Sequence, residues 1–305
     1  MAWARVRRWL FGQPYALLAL TALMWSGNAV ASRMAVDQIS PMALTFLRWV
    51  AVAGALAVLV RRQISASWPA LGPRWKSVLW MGALGFTGFN ALFYAAGHHT
   101  TAINIAIFQG SIPVLVLLGA LVFHRVPFGA TQALGLGLTL LGVALVATRG
   151  ELATLRTLSF NVGDVWMLIA CLLYAAYTLG LRNRPPVPSL AFFTVMTGVA
   201  AATSLPLFLA EILRGDGRWP TPEGLAILLY VAFFPSLLAQ LFYMRGVELI
   251  GPGRAGLFVN LVPVFGPFLS VLILGEPFVA YHALGLALVL GGIFVAERGA
   301  RPAKP

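Results

Sequence analysis

Long apolar runs separated by short polar connections dominate the hydrophobic pattern of this 305-residue chain. A helix needs roughly 20 apolar residues to cross the hydrocarbon of a bilayer, and runs of about 17 or more predict a span. Ten runs qualify: 14–32, 41–60, 77–96, 102–122, 128–147, 163–182, 189–210, 224–244, 254–274 and 280–297. Strands of a membrane barrel would show short alternating segments instead, so the pattern predicts an all-α membrane protein with ten transmembrane helices.

The second half of the chain repeats the first. When the sequence is aligned with itself at a displacement of 150 residues, thirteen positions within 108–142 are identical to their counterparts. Further upstream the displacement is 149, so that Tyr94 meets Tyr243. Self-similarity of this kind indicates one structural unit used twice. We therefore divide the chain into a first five-helix repeat, residues 1–150, and a second, residues 151–305.

The basic residues of the connections predict the orientation, because cytoplasmic connections carry an excess of Lys and Arg. With the N-terminus inside, five basic residues lie outside, namely Arg33, Arg149, Arg156, Arg214 and Arg218. Fifteen lie inside: Arg5, Arg7, Arg8, Arg61, Arg62, Arg74, Lys76, Arg125, Arg182, Arg184, Arg245, Arg254, Arg298, Arg301 and Lys304. Both termini are therefore predicted to be cytoplasmic. Since each repeat has an odd number of spans, the second repeat is inverted relative to the first.

The first apolar run also resembles a secretory signal peptide, with a basic start and small residues near Ala29 and Ala31. Nine further spans follow it, however, and the repeat needs this helix to complete its first copy. Trp25 and Asn28 would be unusual in a discarded segment. We interpret the run as the first span.

Composition agrees with a protein whose solvent is mostly lipid. Hydrophobic residues make up 60% of the chain and charged residues 10%, with a mean hydropathy of +0.87, whereas soluble domains carry about a quarter charged residues. The net charge of +12 reflects basic connections, so membrane lipid and not nucleic acid is the expected partner. The single cysteine, Cys171, leaves no intrachain disulfide or cysteine metal cluster, and we expect no metal and no cofactor.

Inverted repeats are typical of secondary transporters, because two near-equivalent halves can exchange conformations around a central site. Channels can also be built from duplicated halves, so a pore is the rival within transport. Pro113 and Pro263 recur in both repeats and are predicted hinge points, with static kinks as the alternative. Small residues four apart, such as Ala133 and Gly137, favour close helix packing.

The chain resembles the EamA-type families of the drug/metabolite transporter superfamily, on three motifs. These are Trp25-Ser26-Gly27-Asn28 in the first helix, residues 41–48 at the start of the second helix, and Gly275-Glu276-Pro277 after the ninth. At the position of the third motif, the first repeat keeps only the proline, Pro127. Within that superfamily it is most similar to YddG-type amino-acid exporters of bacterial inner membranes. The resemblance implies a basket-shaped fold whose central cavity is lined mainly by helices one, three, four, six, eight and nine.

The ten runs contain no Asp or Glu near their centres. Proton-coupled exporters usually keep an intramembrane carboxylate, so an uncoupled facilitator, or coupling through another group, is favoured. Basic residues are also missing from the centres, which argues against phosphorylated substrates. Arg48 is the one candidate, and we expect it to snorkel to the outer surface. The predicted substrate is therefore neutral or zwitterionic.

Uncharged polar and aromatic side chains in the spans form the candidate substrate site: Trp25, Asn28, Phe86, Asn90, Tyr94, Gln109, Tyr174, Tyr177, Gln240, Tyr243 and Asn260. Trp25 and its repeat mate Tyr174 are expected to face each other across the cavity, where aromatic rings could hold an apolar side chain or an ammonium group. Amides both donate and accept hydrogen bonds and therefore suit a zwitterion. The alternative for each residue is ordinary helix packing.

The sequence thus predicts an inner-membrane carrier that exports small neutral metabolites, amino acids above all, by alternating access. Multidrug efflux is a second rival within transport. An intramembrane enzyme is disfavoured, because HExxH, GxSxG and paired acidic residues are missing from the spans. A purely structural membrane protein is the last alternative. The solute, the driving force and the oligomeric state stay open, a monomer being sufficient for this fold.

Overall fold

The structure is a computed structural model, and it describes residues 11–125, 129–151, 161–251, 255–256 and 258–298. Within these ranges the chain forms helices and no β-strand. The α-helices are α1 (Pro14–Met34), α2 (Pro41–Leu59), α3 (Arg61–Leu71), α4 (Trp75–Gly82), α5 (Phe89–Ala96), α6 (Ala102–Gln109), α7 (Ile112–His124), α8 (Ala130–Ala147), α9 (Val162–Gly180), α10 (Ser189–Leu213), α11 (Pro222–Val231), α12 (Ala239–Ile250), α13 (Val262–Leu269) and α14 (Ala280–Arg298).

Several residues used for the orientation and for the motifs lie outside the described residues, namely Arg5, Arg7, Arg8, Pro127, Arg156, Arg254, Arg301 and Lys304. Both chain termini lie outside them too. The orientation of the termini therefore stays a prediction.

Eight helical segments are long and apolar enough to cross a membrane: Pro14–Met34, Pro41–Leu59, Arg61–Ala96, Ala102–Phe123, Ala130–Ala147, Val162–Asn183, Ser189–Leu213 and Pro222–Ile250. The last two predicted runs correspond to shorter apolar helical segments, Phe258–Leu274 and Ala280–Ala296. The predicted all-helical class is confirmed for the described residues. The count of ten spans and their arrangement as two inverted repeats stay predictions.

Two of the long segments contain a π-helical turn in their middle. One is Ala83–Gly88, between α4 and α5, and the other is Ala232–Leu238, between α11 and α12. Their first residues are 232 − 83 = 149 positions apart, the displacement of the sequence repeat in this region. Pro235 in the second turn has no N–H for an ordinary helical hydrogen bond, which accounts for the wider turn.

Two further segments are interrupted where the repeated prolines lie. The fourth run breaks at Gly110 between α6 and α7, and Pro113 lies in the first turn of α7. The ninth run changes from a 3₁₀ turn, Phe258–Leu261, to α13, and Pro263 lies in the first turn of α13. Both prolines therefore start a helical piece, a position in which their missing N–H costs no hydrogen bond. Their hinge role stays a prediction.

Helices α8 and α14 pack against each other through glycines. A Cβ added to Gly135 would lie 2.4 Å from the carbonyl oxygen of Gly292, and one added to Gly142 would lie 2.7 Å from that of Gly285. Only glycine permits backbones to approach this closely. Because the lower-numbered glycine of α8 meets the higher-numbered one of α14, the two helices are antiparallel.

The buried core has two main clusters. The larger one joins α1, α2, α5, α6 and α9 and contains Phe93 and Phe108, which are almost fully buried. The second joins α2, α4, α9 and α10 around Trp49, Met81 and Met196. Most remaining large apolar side chains on the helices are exposed on the protein surface, as expected for a lipid-facing exterior.

At one end of the bundle, carboxylates cap helices that are distant in sequence. Glu211, in the last turn of α10, accepts hydrogen bonds from the backbone N–H groups of Met42 at 3.2 Å and Ala43 at 3.1 Å. Glu276 accepts a hydrogen bond from the N–H of Ala102 at 2.9 Å. In the predicted orientation this is the outer end.

Candidate functional site

A cavity of about 120 Å³ lies in the interior of the bundle. It is lined by Trp25, Asn28, Arg48, Trp49, Gly85, Phe86, Phe89, Asn90, Gln109, Ile112, Tyr174, Phe193, Pro235, Ser236, Gln240, Val259 and Val262. Helix α2, with Arg48 and Trp49, and helix α10, with Phe193, contribute in addition to the six runs that the resemblance implied. The π-helical turns Ala83–Gly88 and Ala232–Leu238 also supply lining residues, since the extra residue in each turn widens the helix there.

Arg48 lies inside the protein and not at the surface. It is 4% exposed, and its Nε donates a hydrogen bond to Ser236 Oγ at 2.9 Å. Its Nη1 donates to Asn90 Oδ1 at 2.7 Å and to the Tyr94 hydroxyl. The prediction that Arg48 snorkels to the outer surface is therefore wrong. Polar partners from two other segments hold its guanidinium in the interior.

The partners of Arg48 are themselves held in place by further hydrogen bonds. The Tyr94 hydroxyl donates to Asn28 Oδ1 at 2.8 Å, and Asn90 Nδ2 donates to the carbonyl oxygen of Phe86 at 2.6 Å. Ser236 Oγ donates to the carbonyl oxygen of Val231 at 2.5 Å. Buried polar networks of this kind stay rigid when their members are paired. The network therefore fixes the position of Arg48 on one side of the cavity.

The charge of Arg48 is not matched by a carboxylate. No Asp or Glu lines the cavity, and none pairs with Arg48 among the described residues. The centre of the guanidinium lies 4.6 Å from the centroid of the Trp49 ring and 5.5 Å from that of Tyr94. Ring faces attract a cation but do not neutralise it. The cavity therefore carries a net positive charge.

Aromatic side chains form the apolar part of the wall: Trp25, Phe86, Phe89, Tyr174 and Phe193. Trp25 Nε1 donates to the carbonyl oxygen of Pro235 at 3.1 Å, which orients its ring. The Phe89 and Tyr174 rings lie 5.0 Å apart. Such a wall suits an apolar or aromatic group of a ligand.

Seven of the eleven predicted site residues line the cavity: Trp25, Asn28, Phe86, Asn90, Gln109, Tyr174 and Gln240. The other four do not. Tyr94 lies behind the wall on Arg48, Tyr177 packs against Phe86 at 5.4 Å, and Tyr243 packs against Trp25 at 5.4 Å. Asn260 is half-buried and is not part of the lining. Whether any of these residues binds a substrate stays a prediction.

Sequence reasoning missed other lining residues, of which Ser236, Trp49 and Phe193 carry the most chemistry. Pro235, inside an apolar run, was the signal for an irregular turn, and Ser236 follows it directly. Trp49 lies in the second predicted run and Phe193 in the seventh, and neither residue gave a signal that it lines the cavity. No group of three or more His, Cys, Asp or Glu that could hold a metal ion occurs in the part of the chain that the structure describes.

Eight membrane-length helical segments, and an interior cavity lined by seven of them and by the shorter segment Phe258–Leu274, define a multi-pass membrane protein with room for a small solute. The model of the EamA-like transporter family matches residues 13–148 and again residues 161–297. This chain belongs to the EamA-like transporter family. It is a membrane transporter of small substrates, which agrees with the prediction that it is not an enzyme.

Proteins similar to this chain are named as transporters. The chain is 30% identical to the uncharacterized transporter YyaM of Bacillus subtilis over 72% of each chain. It is 27% identical to YetK of the same organism over 92% of this chain and 86% of YetK. It is 23% identical to the inner membrane transporter YedA of Escherichia coli over 97% of this chain and 94% of YedA.

A solved crystal structure has the same fold. It superposes with a TM-score of 0.61 at 21% sequence identity and covers 92% of this chain and 95% of the other chain. At that identity the likeness concerns the fold alone.

Proposed function

We propose that this protein is a secondary transporter of the inner membrane that exports small metabolites, amino acids above all, by alternating access. The observation that carries the proposal is the interior cavity, which combines amide groups, an aromatic wall and Arg48 without any lining carboxylate. A zwitterion offers an acceptor, a donor and an apolar side chain to such a site. The resemblance of the sequence to YddG-type amino-acid exporters also supports amino acids as the proposed substrates.

We propose an architecture of ten spans in two inverted five-helix repeats, residues 1–150 and 151–305. The family model matches once within each repeat. When each glycine is replaced by its counterpart 150 positions away in the other repeat, the Gly135–Gly292 contact becomes the Gly285–Gly142 contact. Both contacts are present. A two-fold axis between α8 and α14 has this property, as in transporters with inverted-topology repeats.

The size and charge of the cavity favour a small solute over a drug. Pockets for drug-sized ligands span about 300–1,000 Å³, whereas this cavity measures about 120 Å³. The buried positive charge of Arg48 would repel the hydrophobic cations that multidrug carriers export. Multidrug efflux is therefore the weaker candidate.

We propose transport without proton coupling through an acidic residue, which the composition of the lining supports. No carboxylate among the described residues lines the cavity, whereas proton relays through membranes are commonly built from Asp, Glu or His.

We propose that the chain bends during alternating access where Pro113 and Pro263 begin α7 and α13. We propose that both termini lie in the cytoplasm, which reporter fusions at each terminus test directly.

Efflux from preloaded proteoliposomes, with and without a pH gradient, tests the proposed function. A panel of neutral, acidic and basic amino acids and one hydrophobic cation is loaded in turn. We expect efflux of neutral amino acids that does not require the gradient. Efflux of the cation alone would favour the multidrug alternative, and no efflux of any solute would contradict the proposal.

Two variants test the assignment of the cavity. Trp25→Ala removes part of the aromatic wall, and Asn90→Ala removes an amide that holds Arg48. We expect both to abolish efflux at a normal yield of folded protein. Trp75→Ala is the matched control, because Trp75 is 57% exposed and distant from the cavity lining. Normal efflux by the Trp25 and Asn90 variants would show that the site lies elsewhere.

A further inference from the structure

We propose that the cavity recognises its substrate by a carboxylate, which Arg48 binds, and that the substrate class is a small monocarboxylate with an apolar or aromatic side group. An amino group is tolerated but not required. This inference rests on the proposed transport function and specifies the substrate class of the same site.

The first argument is the unmatched charge of Arg48. Burial of a cation is costly unless an anion or a full set of hydrogen bonds compensates it. Arg48 is 4% exposed, and its partners Ser236, Asn90 and Tyr94 are all neutral. An anionic ligand in the adjacent cavity would supply the missing negative charge.

The second argument is an excess of hydrogen-bond donors in the lining. The bonds of Arg48 use Nε and Nη1, while Nη2 has no partner among the described residues. The Nε1 of Trp49 and the Nε2 of Gln109 are buried and also without a partner. All three residues line the same cavity. Unpaired donors on residues that share a cavity with a positive charge match the oxygens of a carboxylate, which only accept hydrogen bonds.

The third argument is that the guanidinium is held rigidly for such a role. Ser236 from the π-helical turn before α12 and Asn90 from α5 hold two of its three nitrogens from different sides. The Trp49 ring, whose centroid lies 4.6 Å from the centre of the guanidinium, limits its tilt. A preorganised planar fork loses little freedom on binding a carboxylate. Arg48 therefore has the geometry of a binding group as well as that of a structural one.

The lining does not provide a matching site for an ammonium group. Among the lining residues no carboxylate is present, so an ammonium would find only amide, hydroxyl and carbonyl oxygens and the ring faces of residues such as Trp25 and Tyr174. The aromatic wall instead accommodates the apolar side group. A carboxylic acid that lacks the amino group should thus bind as well as the amino acid, whereas an amine that lacks the carboxylate should not.

A four-compound panel on the wild-type protein separates these requirements without any mutation. The compounds are L-phenylalanine, 3-phenylpropionate, L-phenylalaninamide and 2-phenylethylamine. Binding is measured for purified protein by tryptophan fluorescence, since Trp25 and Trp49 line the cavity, and flux is measured in proteoliposomes. We expect the two carboxylates to bind and the other two to bind about 10- to 100-fold more weakly, the size of one charged hydrogen-bonding interaction.

Variants then assign the carboxylate site. Arg48→Gln removes the charge and Arg48→Lys keeps the charge without the planar fork, so we expect strong and partial loss of carboxylate binding respectively. Trp49→Phe keeps an aromatic ring at this position but removes the unpaired indole N–H, and should weaken binding by up to about 10-fold. Trp75→Phe is the matched control, because Trp75 is exposed at the surface. If Arg48→Gln does not fold, the four-compound panel on the wild-type protein and the Trp49→Phe variant still test the inference.

The outcomes distinguish this inference from the proposed function. Carboxylate binding that depends on Arg48 but occurs without flux would support the inference and contradict the transport of these solutes. Flux of the amide and the amine equal to that of the carboxylates would overturn the inference and leave the transporter function in place. Failure of both carboxylates to bind, or equal binding of all four compounds, would also overturn it.

Discussion

The carboxylate of Glu276 accepts a hydrogen bond from the backbone N–H of Ala102, at 2.9 Å. A second bond comes from the N–H of Ile103, at 3.0 Å. The first N–H groups of a helix have no partner within the helix and form the positive end of its dipole, so a carboxylate satisfies both needs. Glu276 precedes α14, whereas Ala102 begins α6. This contact therefore ties the late part of the chain to the early part at one end of the bundle.

Glu276→Ala should weaken that end of the bundle. Loss of a capping acceptor costs about 0.5–2 kcal/mol of stability, and Arg33, whose Nε lies 3.9 Å from Glu276, loses its ion pair as well. We expect a lower unfolding temperature in detergent, and a smaller drop for Glu276→Gln, which keeps one acceptor oxygen. An unfolding temperature of Glu276→Ala equal to that of the wild type would show that the cap contributes nothing.

The ion pair between Arg218 and Asp37 at the same end should behave differently. Its atoms lie 2.9 Å apart, but the two side chains are 52% and 78% exposed. Exposed pairs contribute between about 0 and 1 kcal/mol, and salt screens them. Asp37→Asn is the informative change, because Asp37 has a φ of 64° that asparagine also tolerates. We expect an unfolding temperature within error of the wild type, and a drop as large as that of Glu276→Ala would contradict this ranking.

The helical segments were predictable because the bilayer requires every backbone group to be bonded within its own segment. The predicted run 41–60, for example, corresponds to the helix Pro41–Leu59. Apolar length alone predicts such elements. The π-helical turns were not predicted, since a turn of that kind depends on neighbouring helices as well as on Pro235 or a glycine.

The position of Arg48 could not be predicted from its run. Its hydrogen-bond partners lie 42, 46 and 188 residues away in the chain. A lone arginine near a helix end normally snorkels, and only the tertiary arrangement of Asn90, Tyr94 and Ser236 makes the interior position favourable. The charge of the site, on which its chemistry depends, was therefore missed.

The rotation of each helix about its own axis was the other property that the sequence did not predict. Tyr174 lines the cavity, whereas Tyr177, three residues further on, packs against Gly85. A Cβ added to Gly85 would lie 2.3 Å from the Tyr177 ring. The runs are apolar all round, so their sequence does not indicate which face points inward. Tyr94 and Tyr243 fall behind the cavity wall for the same reason.

Tyr94→Phe should impair transport more than folding. The hydroxyl accepts from Arg48 and donates to Asn28 Oδ1 at 2.8 Å, and phenylalanine keeps the ring but removes both bonds. A hydrogen bond to a charged group contributes about 1.5–3 kcal/mol, so we expect the affinity for substrate to fall by about tenfold or more as Arg48 loses its position. Tyr15→Phe, at a ring that is 58% exposed, is the control. Unchanged transport kinetics of Tyr94→Phe would show that this bond does not position Arg48.

His98 should make the stability depend on pH. It lies in the connection between α5 and α6, where burial lowers its pKa, and neighbouring His99 lowers the pKa further. Because the folded state then binds fewer protons than the unfolded state, this contribution to stability is fully present above about pH 6.5 and is lost as the pH falls through the lowered pKa. We expect His98→Gln to flatten the fall of the unfolding temperature between about pH 7 and 5. Identical slopes in variant and wild type would contradict the prediction.

Gly135→Ala should be among the most damaging single-methyl changes in the chain. The added Cβ would lie 2.4 Å from the Gly292 carbonyl oxygen and 2.6 Å from the Ala296 nitrogen, and these backbone atoms cannot rotate away. Overpacking commonly costs about 1–3 kcal/mol, and separation of α8 from α14 would add lost packing along both helices. Gly137→Ala is the matched control on the same helix, since a Cβ there has no neighbour within 4 Å. We expect size-exclusion chromatography to show a large loss of folded protein for Gly135→Ala and none for Gly137→Ala. Equal yields of the two variants would mean that the close contact of α8 with α14 does not stabilise the fold.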